Sequence, residues 1–127
     1  MEDNLKKTVL ITGGSGGIGE ELCDYLAKKK IKVFFTYFKN KKKANIIVNR
    51  IRKNGGFIIA KKMNISNIKS IKKTLNYFFS KEKKINILIN NSGISQIKKY
   101  EKITEKDWQN MLNINLKGPF FLTQFFL

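Results

Sequence analysis

The sequence predicts an α/β fold built on a parallel sheet with helices on both faces, and three observations carry that prediction. Four short apolar runs, Val9-Leu10-Ile11, Val33-Phe34-Phe35, Phe57-Ile58-Ile59 and Ile87-Leu88-Ile89, begin 24, 24 and 30 residues apart, the spacing of successive strand–helix units. Each run is continuously hydrophobic rather than alternating, as strands are when both of their faces are covered. The segments between the runs have helical period, with apolar residues recurring three and four positions apart.

Taken in order, the first strand runs directly into Thr12-Gly13-Gly14-Ser15-Gly16-Gly17-Ile18-Gly19, and the helix opened by this turn carries Ile18, Leu22 and Leu26 as a stripe toward the sheet. The second strand ends in the polar, cationic stretch Thr36-Tyr37-Phe38-Lys39-Asn40-Lys41. Ala44, Ile47, Val48 and Ile51 mark the inner face of the second helix, which Asn54-Gly55-Gly56 ends with residues that tolerate left-handed backbone. Ser66 is placed to cap the third helix, whose stripe is Ile68, Ile71, Leu75 and Phe78. The fourth strand leads into Asn90-Asn91-Ser92-Gly93. Thr104 then reads as the N-cap of a helix with Glu105 and Asp107 in its first turn, where they suit the helix dipole, and Pro119 predicts a bend before residues 120–127. No linker or repeat interrupts the pattern, so residues 1–127 read as one domain.

Composition removes several classes of function. No apolar run approaches the roughly 18 residues a membrane span needs, and the opening MEDNLKK is polar and carries two acids, unlike a secretory leader. The expected setting is cytoplasmic. One cysteine, Cys23, excludes an internal disulfide framework, and with no histidine no metal site is expected. The net charge of +17 points toward an acidic partner, yet Lys, Ile and Asn supply 24, 18 and 14 residues while Ala supplies three. That bias fits compositional drift at surface positions. Arg, the usual reader of base edges, occurs twice, so no nucleic-acid partner is expected.

A glycine-rich turn between a buried strand and a helix lets a pyrophosphate reach backbone N–H groups at the helix N-terminus, where the dipole also favours negative charge. The turn can be read as Gly14, Gly16, Gly19 or as Gly13, Gly17, Gly19. It is not a P-loop, because no Gly-Lys-Ser/Thr follows.

Three ordered motifs decide the register. Thr12-Gly13 through Gly17-Ile18-Gly19, then Asn90-Asn91-Ser92-Gly93, then Asn115-Leu116-Lys117-Gly118 together resemble the short-chain dehydrogenase/reductase family, whose pattern is T-G-x-x-x-G-x-G, N-N-A-G and N-x-x-G. Trp108 and the run from Gly118 to Gln124 are similar as well. The resemblance implies a Rossmann-type doubly wound sheet of order 3-2-1-4, in the register Gly13, Gly17, Gly19 with Gly14 and Gly16 as spacers. It implies that Gly13, Gly14, Ser15, Gly16, Gly17, Ile18 and Gly19 cradle the cofactor pyrophosphate, that Asn91 and Gly93 pass beside a ribose, and that Asn64 and Ile65 meet the adenine. Most members have aspartate at the place of Asn64, and Ser92 replaces their alanine.

NAD-binding members carry an acid about 20 residues past the glycines to bind the ribose hydroxyls. No acid occurs here between Asp24 and Glu82, and the second strand ends in lysines, with Lys39 the candidate for a 2′-phosphate. NADP(H) is therefore expected over NAD(H). Family chemistry uses a Tyr as acid, a Lys four residues on that lowers its pKa, a Ser that orients the carbonyl and an Asn that anchors a water. Asn115 matches that Asn. Tyr25/Lys29, Tyr37/Lys41 and Tyr77/Lys81 have the Tyr-x-x-x-Lys spacing, but all precede the Asn they should follow.

The expectation is thus the cofactor-binding, N-terminal portion of a carbonyl/alcohol oxidoreductase most like 3-oxoacyl-acyl-carrier-protein reductases. Its substrate would be a small-molecule or carrier-linked carbonyl compound, and the full-length parent would be a homo-oligomer, dimer or tetramer. A reductase for another alcohol or ketone, a non-catalytic dinucleotide-binding module and a gene remnant stay open.

Overall fold

The computed structural model describes residues 7–127; of the polar opening stretch only Lys7 falls among them, so residues 1–6 of the expected domain lie outside the described residues. The chain alternates β1 (Thr8–Ile11), α1 (Gly17–Lys28), β2 (Lys32–Tyr37), α2 (Lys41–Lys53), β3 (Ile58–Lys62), α3 (Ile68–Lys81) and β4 (Ile87–Ile89), followed by α4 (Glu105–Leu112) and α5 (Gly118–Phe126). The strands form one parallel sheet of order β3-β2-β1-β4, as the motifs implied. Val9 stands opposite both Val33 and Ile87, and Val33 opposite Ile58, so the four apolar runs meet in one layer.

Alternate residues of these strands feed two cores. Val9, Ile11, Val33 and Phe35 face Cys23 and Ala27 of α1 and Ala44, Ile47 and Ile51 of α2. Leu10 and Phe34 face Ile71, Leu75 and Phe78 of α3 and Leu122 of α5. Phe34 and Phe78 stack with ring centroids 4.9 Å apart. Outside the cores, Arg50 of α2 clamps α1 by donating to Glu20 at 3.0 Å and Asp24 at 2.8 Å.

Four local expectations are corrected. Ile18 is 73% exposed; the α1 stripe is Gly19, Cys23 and Ala27, flanked by Leu22 and Leu26. Phe57 lies outside β3 and is largely exposed. The cap of α3 is Asn67, whose side chain accepts the Ser70 N–H, because Ser66 turns back to donate both its N–H and its hydroxyl to Asn64 Oδ1. Pro119 sits in the first turn of α5, and the irregularity falls before it, in a π turn at Asn113–Lys117 with the helical backbone continuous on both sides. A proline lacks the N–H that would bond the carbonyl four residues back and its ring crowds that carbonyl, which here belongs to Asn115; widening the preceding turn gives the ring room.

Candidate functional site

The carboxyl ends of the strands are tied together by threonines. Thr12, at the end of β1, accepts the N–H groups of Asn91 and Ser92 on its Oγ1, both at 3.0 Å, fixing the chain after β4 to the glycine turn. From the end of β2, Thr36 receives the Gly13 N–H on its hydroxyl at 3.3 Å and the Gly14 N–H on its carbonyl at 2.9 Å. Asn91 Nδ2 donates to Gly13 O at 3.1 Å. The turn is therefore held from both neighbouring strands. Neither threonine was singled out for this work by sequence reasoning; a hydroxyl residue closing a buried strand is the signal that could have found them.

Within the turn the glycines serve different ends. Gly13 has φ +65°, the left-handed region that favours glycine. A Cβ on Gly14 would lie 2.5 Å from Phe35, and one on Gly19 would overlap Gly13 O. Gly14 is thus a packing requirement rather than a spacer. A Cβ on Gly17 meets nothing within 4 Å, and one on Gly16 comes only to 3.5 Å of Gly13 O. Those two stand at the open mouth of α1, whose N-cap is Gly16 with no side-chain cap, so the N–H groups of Gly17, Ile18 and Gly19 have no side-chain acceptor. Uncapped first-turn amides beside open space form a cradle for an anion.

That cradle opens into a cleft of about 850 Å³ over the strand ends, within the range of roughly 300–1,000 Å³ usual for ligand sites. Gly13, Ser15, Gly16, Gly17, Ile18, Lys39, Asn64, Ile65, Asn91 and Gly93 line it. Gly14 and Gly19 lie beneath the turn, and Asn115 stands outside the lining. Tyr37, Phe38, Met63 and Ile114 add apolar walls that the motifs did not identify. Among the described residues no acid lines the cleft and Lys39 is its only charged member. Glu20, the acid in the first turn of α1, is held below the usual carboxylate range chiefly by hydrogen bonds from Lys43 and Arg50, so its charge is already paired. The donor set fits a dinucleotide: backbone amides for a pyrophosphate, and no carboxylate to repel it. Asn64 Oδ1 is occupied by Ser66, which leaves Nδ2 as the side-chain group facing the cleft without a hydrogen bond among the described residues.

Asn115 occupies the π turn and bonds chiefly to one residue: Oδ1 accepts the Ile94 N–H at 2.8 Å and Nδ2 donates to Ile94 O at 2.7 Å, with a longer contact from Nδ2 to Met111 Sδ at 3.9 Å. This reciprocal pair moors the segment after Gly93 to the helix. Gly118, three residues on, lets the helix approach the segment after β3, since a Cβ there would overlap Ile65 O. Cys23 contributes no chemistry: burial pushes its thiol up to about 12, leaving it protonated and unreactive at neutral pH. Among the described residues no group of three His, Cys, Asp or Glu could hold a metal, and no helix is long and apolar enough to cross a membrane.

A family model described as short chain dehydrogenase matches residues 7–127. The chain is 31% identical over 118 residues to a 3-oxoacyl-[acyl-carrier-protein] reductase of Synechocystis, covering 93% of this chain and 48% of that protein. It is 30% identical over 118 residues to a hydroxynaphthalene reductase-like protein of Metarhizium majus, covering 93% of this chain and 44% of that protein. The chain thus spans about half the length of the curated relatives it matches. Among solved structures, a short chain dehydrogenase from Burkholderia cenocepacia in complex with NADP superimposes with a TM-score of 0.91 at 27% identity, over 97% of this chain and 51% of that one.

Proposed function

The chain belongs to the short-chain dehydrogenase family, and from that premise we propose that residues 1–127 are the dinucleotide-holding domain of an NADP(H)-preferring oxidoreductase. The observation that carries this reading is the acid-free cleft over an uncapped helix terminus. When bound, the nicotinamide supplies or accepts a hydride at C4, exchanged with a carbonyl or alcohol carbon of the substrate. In this reading the amides of Gly17 to Gly19 hold the pyrophosphate, Asn91 and Gly93 line the ribose path, and Asn64 and Ile65 meet the adenine, with Asn64 acting as an Nδ2 donor. Lys39 balances the 2′-phosphate. Ser15 and Ile18 close the near wall.

In this reading Asn115 takes the place of the family's water-anchoring Asn; its side chain is engaged by Ile94, so the group that would anchor a catalytic water is its backbone carbonyl. None of the three Tyr-x-x-x-Lys pairs sits with both members in the cleft lining. Within these residues the site holds a dinucleotide, and the acid that completes hydride transfer would come from outside them. The substrate class we favour is a carrier-protein-linked 3-oxoacyl group, in a cytoplasmic homo-oligomer. A different carbonyl substrate is the second reading, supported by nearly equal identity to the hydroxynaphthalene reductase-like relative.

The test is a calorimetric titration of the chain with NADPH and NADH, repeated as turnover in the longest gene product that contains it. Tighter NADPH binding is expected. Equal affinity, or an NADH preference, would refute the cofactor assignment.

A further inference from the structure

A second lysine, itself outside the cleft lining, reaches Phe38, a residue that lines it. Phe38 follows β2 and is 44% exposed, and two ammonium groups rest against its ring: Lys39 Nζ at 5.9 Å and Lys62 Nζ at 5.9 Å from the centroid. Lys62 comes from the end of β3, a different strand. Its placement is fixed by pairing rather than by chance: Lys62 is in register with Tyr37, and the next N–H, of Met63, donates to Tyr37 O at 2.8 Å. The pleat separates it from its neighbour. Lys61 faces the α3 side and lies 4.3 Å from the Tyr77 ring, whereas Lys62 shares the opposite face with Ile58 and Ala60, toward Phe38.

Among the described residues neither cation is paired with a carboxylate: the ion pairs there are those of Lys32, Lys43, Arg50 and Lys98. Two like charges beside one ring repel each other, and the aromatic face offsets only part of that cost. A dianion between them would reverse its sign. Each ammonium sits on a flexible four-carbon stem, so both can reach toward a phosphate held at the Phe38 edge.

We propose that Lys62 is the second cation of the adenosine 2′-phosphate site, sharing the Phe38 ring with Lys39, and that the pair sets the preference between the two nicotinamide dinucleotides. This rests on the dinucleotide reading above. Arginine carries out such recognition by a planar fork; here two point charges, one from the end of β3 and one from the turn after β2, would share the task.

The experiment is direct binding, by calorimetry at low and moderate salt, of NADPH, NADH, 2′,5′-ADP and 5′-AMP to the full chain and to Lys62→Ala, Lys39→Ala, Lys62→Arg and Lys73→Ala. Lys73 is an exposed α3 lysine that is not one of the two cations on the Phe38 ring, and it controls for net charge. Lys62→Ala should weaken NADPH and 2′,5′-ADP about fivefold, the scale of one exposed charge contact, with NADH and 5′-AMP unchanged. Lys62→Arg should restore most of the loss, and Lys73→Ala should change none of the four. Equal weakening of all ligands by Lys62→Ala, or the same loss in Lys73→Ala, overturns the assignment as bulk electrostatics. If the chain prefers NADPH and only Lys39→Ala alters that preference, the NADP reading stands and the role of Lys62 is rejected. If the unmodified chain does not prefer 2′-phosphorylated ligands, both fall together.

Discussion

The stretch up to β4 and the stretch after it are stabilised by different means. Every residue of β1 is buried, as are four of the six in β2, and helices α1 to α3 each bury three or four residues. From residue 90 onward only Gly118 and Leu122 are buried, and α4 buries none. In the second region α5 still packs Leu122, Phe125 and Phe126 on the α3 core, but the stretch before it is held by polar, specific contacts: Thr12 to Asn91 and Ser92, Asn115 to Ile94, and Lys98 and Thr104 to Asp107. The cleft lies where the two regimes meet. Its floor of strand ends is tied together by Thr12 and Thr36, and its wall after β4 is moored by a few side chains.

The sharpest way to break this contrast is to truncate one phenylalanine in each region. Phe34→Ala empties the centre of the sheet and should cost about 3–5 kcal/mol, read by urea denaturation. Phe120, 60% exposed, should cost less than about 0.5 kcal/mol when truncated. A comparable loss at Phe120 would mean that this face is covered in solution, and the loss would then vary with protein concentration.

Glycine substitutions sharpen the boundary. Gly19→Ala drives a methyl into Gly13 O and Gly14, so a cost of roughly 1–3 kcal/mol in stability is expected, the range for overpacking. Gly17→Ala meets nothing in the protein and should leave unfolding unchanged while weakening NADPH binding, because the space it fills is the ligand's. Loss of stability in both, with binding intact in the folded fraction, would remove the cradle.

The same boundary explains what could be read without coordinates. The sheet and its core residues were legible because strands covered on both faces write their burial as unbroken apolar runs, and Val9, Phe34 and Ile58 announce themselves; the strand order was legible only through the family resemblance of the motifs. The residues lining the cleft were legible largely through motif spacing: of those expected, only Gly14, Gly19 and Asn115 lie outside the lining. What failed was local. Ile18 reads as core because hydrophobicity cannot distinguish a sheet-facing isoleucine from one left at the mouth of a cleft. Ser66 and Asn67 are both plausible caps, and the choice depends on Asn64 recruiting Ser66, a three-body contact with no period. The convergence of Lys39 and Lys62 on one ring required the β2–β3 register.

In the second region single hydrogen bonds should have measurable effects. Asn115→Ala removes both bonds to Ile94 in a partly solvated setting, so about 1 kcal/mol of local stability should be lost, seen as faster hydrogen exchange from Ile94 through residue 99 while the β1 amides stay protected. Asn115→Asp keeps the acceptor but not the donor and should fall between. Faster exchange throughout the chain would show that the two regions unfold as one unit.

The smallest effect is a titration. Asp107 accepts from Lys98 Nζ at 2.8 and 2.7 Å and closes a capping box with Thr104, and the hydrogen bond from Lys98, followed by that from the Thr104 N–H, lowers its carboxyl to about 2. Because the folded value lies below the ordinary 3.8, the folded state binds this proton less readily than the unfolded chain. The stabilisation is therefore fully present above the unfolded value, declines as the pH falls below it and is gone below about 2. Asp107 is solvent-exposed to a degree that salt should screen much of the Lys98 contribution. Emission from the neighbouring, exposed Trp108 should stay flat from neutrality to about pH 4, the ordinary carboxylate range, and then shift with acidification. Asp107→Asn should show the acid-side signal already at neutral pH, with the remaining acid dependence coming from Glu20, whose carboxyl is also lowered but lies in the first region. An unchanged acid profile in Asp107→Asn would place the titration in the α1–α2 clamp instead, and the loop after β4 would then owe its order to the Asn115–Ile94 pair.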